Sequence, residues 1–199
     1  MQEMFKDTRF KWLVGLFGLL TVWWLAEQVS DIDSGRILLW TNFYFILPLY
    51  GAICAIIISR AWGGVKSTIG KAIILFATGL LLQVFGQITY GYYYAILNID
   101  MPYPSIGDVG YFGSILVYIY GLVLLARAVG ISLLSKPISK QIQIIILPVV
   151  LTILPWALFL HNTYTLDWLD PLRTGLDVAY LIGEALYVSM AIIILSFSY

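Results

Sequence analysis

Apolar residues dominate the chain in six long runs separated by short polar connections. About 20 apolar residues cross a bilayer as a helix. The runs near 10–28, 37–59, 69–97, 106–128, 140–161 and 173–198 therefore each predict one span. The third is longer than a single span needs and is expected to tilt or to project beyond the membrane. No connection is long enough to hold a soluble domain. The expected fold class is all-α, a polytopic membrane protein forming one bundle of about six transmembrane helices over residues 1–199.

The breaks between runs carry their own signals. Pro102 and Pro104, either side of Tyr103, fix φ and remove amides, which ends the third run and sets up a turn. Ser105 is then a candidate N-cap for the fourth, with Asp108 three residues on in the capping-box place. Pro48, Pro148 and Pro155 are expected to kink their helices. Gly175, Ala179 and Gly183 form a small-residue face on the sixth run, suited to close backbone approach.

Composition agrees with the runs. Hydrophobic residues make up 61% of the chain and charged residues 11%, and the mean hydropathy is +0.91, which excludes an ordinary soluble domain. The 14 Tyr and 7 Trp suit rings placed at headgroup depth. A net charge of zero gives no support to a nucleic-acid partner. The single Cys54 has no partner for an intrachain disulfide and is expected to pack. A charged N-terminal segment leads into the first run without a small-residue cleavage site, so the first helix is expected to be retained.

Charge also predicts orientation. Nine of the eleven positive residues fall at one end of the runs (Lys6, Arg9, Lys11, Arg60, Lys66, Lys71, Arg127, Lys136 and Lys140), against Arg36 and Arg173 at the other. The positive-inside rule places both termini in the cytoplasm, with the protein in the cell membrane. Nine of the eleven acidic residues take the opposite, outer end.

Polar residues inside the runs are the candidate chemistry. The third carries Gln83, Gln87, Tyr90 and Tyr94, the fourth Asp108, Tyr111 and Tyr118, and the sixth Asp177, Tyr180, Glu184 and Tyr187. Their spacings of three, four and seven put each set on one helix face. Glu184 and Gln87 are expected near the midplane. A charge there costs roughly 2.5–3.5 kcal/mol on insertion scales, so these stripes should face the bundle interior and converge if the helices are neighbours. The candidate ligand-binding set is Gln83, Gln87, Tyr90, Asp108, Tyr111, Asp177, Tyr180 and Glu184, and Asn42, Tyr44, Glu27 and Gln28 could join it. One reading is hydrogen-bonded glue, each bond worth about 0.6 kcal/mol or somewhat more. The other is an outward-opening polar pocket at which a small ligand, proton or cation is felt.

Other chemistry finds little footing. His161 is the only histidine and lacks metal-ligand spacing to the carboxylates, so no metal site is expected. No lysine lies within a run to carry a retinal Schiff base. No nucleotide loop, nucleophile elbow or zinc-protease motif is present, so the chain is not expected to be an enzyme, and no cofactor is indicated.

The stretch FGQITYGYYYAILNIDMPYPSIGDVGYFGSILVYIYGLVLLAR, within residues 79–127, resembles the multi-helix membrane input domains of prokaryotic signalling proteins, which precede histidine kinase, PAS or diguanylate cyclase modules. Pro102, Pro104, Ser105, Asp108 and Tyr111 match that family's Pro-x-Pro-Ser-x-Ala-Asp-x-x-Tyr pattern, with Gly107 in place of the Ala. Gly86 matches as well, while Gln87 stands where the family commonly has Asp. AYLIGEALYV resembles its Ala-Tyr-Pro-Leu-Gly-Asp segment, with Glu184 for the Asp and Leu181 for the Pro. The likeness spans roughly residues 69–128 and 173–195. It implies a sensory role and a cytoplasmic output domain, which residues 1–199 do not contain.

The expected function is an integral membrane sensory or ligand-binding module with an outward-facing polar pocket, passing a signal across the membrane. The alternative is a small accessory or structural subunit of a larger membrane complex. A transporter or proton path comes third, because the cytoplasmic halves of the helices are almost wholly apolar. The expected partners are the lipid bilayer and either other membrane subunits or a cytoplasmic output domain, in a homo- or hetero-oligomer.

Overall fold

A computed structural model describes residues 7–29, 43–130, 138–160 and 169–197. Among them are six long helices and no strand: α1 (Thr8–Val29), α2 (Ile46–Ala61), α3 (Thr68–Gly91), α4 (Ile106–Ala128), α5 (Ile138–Pro155) and α6 (Pro171–Phe197). Four are long and apolar enough to cross a membrane: α1, α3 with its extension to Ile96, α4 and α6. The protein is a membrane-embedded helical bundle. The described apolar stretches of α2 and α5 are shorter. Large apolar side chains on α1, such as Trp12 (68% exposed) and Val22 (66% exposed), face outward, where lipid rather than water would receive them.

Local sequence explains the boundaries. Ser105 caps α4: its Oγ accepts from the Gly107 amide at 3.1 Å, and Asp108 Oδ2 accepts from the Ser105 amide at 2.7 Å, completing the predicted capping box. Tyr103–Pro104 is a cis peptide just before it. At the far end Gly130, at φ 71°, follows the last turn. Gly63 and Gly64, at φ 86° and 54°, make the tight turn between α2 and α3, and Ser67 caps α3 by accepting from the Gly70 amide at 2.9 Å.

The surplus length of the third run is real. α3 continues through a π-helical turn at Tyr92–Ile96, giving 29 residues. At 1.5 Å per residue that is roughly 43 Å, against a hydrocarbon core of about 30 Å. Of the three prolines, Pro48 sits in the first turn of α2, where a missing amide disturbs no helix interior, so the expected kink has no basis there. Pro148 lies inside α5, and at Pro155 the α-helix gives way to a π-helical turn, Trp156–Leu160. Residues 37–42 of the second predicted run, together with Arg36, Asn42 and His161, lie outside the described residues.

The tightest packing is between α3 and α4, which run antiparallel. Gly110 lies so close to α3 that a Cβ there would stand 2.4 Å from the Leu82 carbonyl oxygen and 2.8 Å from the Gly86 nitrogen. Gly79 makes room for the Tyr118 ring in the same way. α2 packs on the other side of α3, and α1 packs lightly on α2. α6 packs on α4 and carries α5 on its far side. Along the α4–α6 contact Gly183 meets Ile115, and the rings of Tyr187 and Tyr118 lie 5.8 Å apart, so these two helices run parallel. The small-residue face predicted on α6 is therefore used at Gly183, whereas nothing lies within 4 Å of a Cβ at Gly175.

Candidate ligand-binding site

α3 and α6 both flank α4 but share little contact with each other. That arrangement leaves a groove with α4 as its floor and α3 and α6 as its walls. Helix register fixes which residues stand level. Gly79 opposite Tyr118 and Gly86 opposite Tyr111 put Gln83 level with Ser114. Gly183 against Ile115 puts Glu184 at the same height, near the middle of α4.

The groove has two compartments. The first, about 430 Å³, is lined by Asp108, Tyr111 and Tyr180 toward the start of α4, by Gln83, Ser114, Ile115 and Glu184 at mid-height, and by Tyr118, Tyr187 and Val188 beyond. The second, about 450 Å³, shares Gln83, Tyr118 and Tyr187 and continues along Phe76, Leu80, Leu122 and Ala191. Polarity thus falls along the groove, and two tyrosines mark the boundary.

Five predicted residues come together on this wall: Gln83, Asp108, Tyr111, Tyr180 and Glu184. The other three do not line it. Gln87 is 4% exposed and lies where α3 meets α4, its Oε1 accepting from the Tyr111 hydroxyl at 2.8 Å and from the Tyr44 hydroxyl. Tyr90 stacks on Tyr94, ring centroids 5.7 Å apart. Asp177 accepts from the Tyr103 hydroxyl at 2.5 Å, and the Arg173 guanidinium lies 5.7 Å from the same ring, so this set ties the α3–α4 loop to the start of α6. Of the residues from the first two helices, Tyr44 joins the Gln87 cluster and Gln28 is exposed. Glu27 is buried on α1, away from the groove, and its Oε1 has no hydrogen-bond partner among the described residues.

Hydrogen bonding separates glue from free chemistry. Asp108 is 8% exposed and engaged at both oxygens: Oδ1 accepts from the Tyr180 hydroxyl at 2.9 Å and Oδ2 from the Ser105 amide at 2.7 Å. Ser114 Oγ donates to the Tyr111 carbonyl at 2.7 Å. By contrast the side chains of Gln83, Glu184, Tyr118 and Tyr187 make no hydrogen bond or ion pair among the described residues. Glu184 is exposed to the open side of the groove. The unsatisfied groups lie at mid-height and at the tyrosine boundary, and the satisfied ones at the Asp108 end. Tyr118 and Tyr187 were legible as members of the stripes but not as candidates for binding. Their signal was the continuation of each stripe past its carboxylate, by nearly three turns from Asp108 to Tyr118 and about one from Glu184 to Tyr187.

No group of three or more His, Cys, Asp or Glu side chains able to hold a metal occurs among the described residues. No protein-family model matches the chain, and neither does a curated protein or a solved structure.

Proposed function

We propose that this protein is an integral membrane sensory module of the cell membrane, with both termini cytoplasmic, in which ligand bound in the α3–α4–α6 groove shifts helix packing. The observation that carries the reading is the pairing of Gln83 with Glu184 at mid-height on opposite walls, both without partners among the described residues. An unpaired carboxylate in a membrane span is costly, so a ligand that pairs with it gains free energy no other wall residue supplies. A ligand shifts packing only through unequal affinity for two arrangements. α6 is suited to carry such a change, since it forms one wall, has few contacts with α3 and runs on to Phe197. The resemblance to prokaryotic input domains and the distribution of Lys and Arg favour the same role and orientation. The apolar second compartment argues against a continuous path for protons or ions.

The test uses spin labels at Lys71 and Ser196, both exposed and near one end of α3 and α6, in a Cys54→Ser background reconstituted into nanodiscs. Glu184→Gln and Asp108→Asn are expected to shift the distance distribution between the labels. Superimposable distributions in folded wild type and both variants would refute the coupling. The exposure of Glu184 favours one second reading, an accessory subunit whose partner covers the groove; that reading predicts co-purification with another integral subunit in fixed stoichiometry.

A further inference from the structure

The ligand's chemistry can be narrowed, on the assumption that the groove is the sensory site. Neither compartment is lined by a Lys, Arg or His. Asp108 is the less available carboxylate: it is 8% exposed, Oδ2 accepts from both the amide and the hydroxyl of Ser105, and Oδ1 already accepts from Tyr180. The unused capacity is Glu184, an acceptor only when ionised, together with the amide of Gln83 and the hydroxyls of Tyr118 and Tyr187. An anionic head would meet an uncompensated carboxylate here. A neutral hydroxyl supplies one donor and no charge. An ammonium supplies three donors and a charge, and the adjacent tyrosine rings offer the negative faces that attract a cation.

The groove continues past that point as an apolar compartment along Phe76, Leu80, Leu122 and Ala191. From Gln83 to Phe76 along α3 is about 10 Å. Each compartment falls within the range of roughly 300–1,000 Å³ usual for small-molecule sites. We propose that the groove binds a single-chain amphiphile with a primary ammonium head, the head at Glu184 and Gln83 and the alkyl chain in the apolar compartment. The ligand enters sideways from the bilayer through the open side on which Glu184 is exposed.

The experiment uses the whole chain in phosphatidylcholine nanodiscs and an alkylamine carrying a diazirine at its chain terminus. Photolabel mapped by peptide mass spectrometry is expected on Phe76, Leu80, Leu122 and Ala191. Dodecylamine should compete, and dodecanol and dodecanoate should not. Glu184→Gln, which preserves shape, should weaken labelling by about tenfold or more, as expected when a hydrogen-bonded charge is lost. Leu122→Trp should exclude label from the second compartment, and Leu80→Phe serves if that variant does not fold. Label on the outward face of α4, at Val109 or Leu116, overturns the proposal, as does a groove that carries no label. Equal competition by dodecanol, or undiminished labelling of Glu184→Gln, overturns the ammonium assignment and leaves the sensory reading to the spin-label distances. Amine-specific labelling with unchanged distances upholds the ligand and defeats the sensory reading.

Discussion

Replacing Gly110 by Ala tests whether backbone contact between α3 and α4 sets the width of the groove. Taken alone, Gly→Ala inside a helix is favourable by about 1 kcal/mol. At Gly110 the new methyl carbon would lie 2.4 Å from the Leu82 carbonyl oxygen and 2.8 Å from the Gly86 nitrogen. Both are backbone atoms, so no side-chain rotation relieves the clash and the helices must separate. Overpacking of this kind costs about 1–3 kcal/mol and more where backbone must move. The expected net loss is about 2 kcal/mol, or roughly thirtyfold in the folding equilibrium. Gly113 is the control on the same helix: a Cβ there would sit 3.6 Å from Leu82 Cδ1, an ordinary contact, so Gly113→Ala should be neutral or mildly stabilising. Equilibrium unfolding in SDS–detergent mixed micelles, followed by circular dichroism, ranks the three proteins. If Gly110→Ala and Gly113→Ala unfold at the same SDS fraction, close α3–α4 approach is not what holds this pair together.

Three further outcomes follow from the hydrogen-bond assignments. Glu184→Leu should raise stability, by up to about 3 kcal/mol, because it removes an unpaired carboxylate from mid-span; a loss of stability in the same SDS assay would mean that Glu184 is a structural partner rather than a free one. Asp108→Ala removes both its half of the α4 capping box, leaving Ser105 in place, and the bridge to α6, whereas Tyr180→Phe removes the bridge alone. The first should therefore cost about 1 kcal/mol more than the second, and equal midpoints would deny Asp108 its capping share. Gln87→Leu leaves the Tyr44 and Tyr111 hydroxyls without their shared acceptor, so it should destabilise by about 1–2 kcal/mol, and Tyr44→Phe combined with Tyr111→Phe should recover much of that loss.

The helices were legible in the sequence to the extent that local chemistry ends them. α4 spans Ile106–Ala128 as expected, because Ser105 and Asp108 start it and Gly130 follows it. The face on which each of the three polar stripes lies was legible too, since helical period alone decides which residues share a face, whereas the adjacency of α3, α4 and α6 was not. What the sequence could not assign was which polar groups are already spent. Tyr44 reaches Gln87 across 43 positions, Tyr180 reaches Asp108 across 72, and Tyr103 reaches Asp177 across 74. Period says nothing about pairings at such separations. Gln83 and Gln87, one turn apart on one stripe, consequently looked alike, yet one lines the groove and the other is sealed against α4.

The parallel run of α4 and α6 also bears on the order of assembly. Two helices parallel in one chain cannot be a hairpin, so α5 must be made between them before α6 can dock. A nascent chain that has completed α4 contains both helices of the α3–α4 pair, yet only one wall of the groove. Asp108 at that stage caps its helix with Oδ2 while Oδ1 still awaits Tyr180, a hydroxyl made 72 residues later. The groove is thus complete only once α6 is made, and a chain cut short of Pro171 would retain the tightest packing of the fold while lacking one of the two walls.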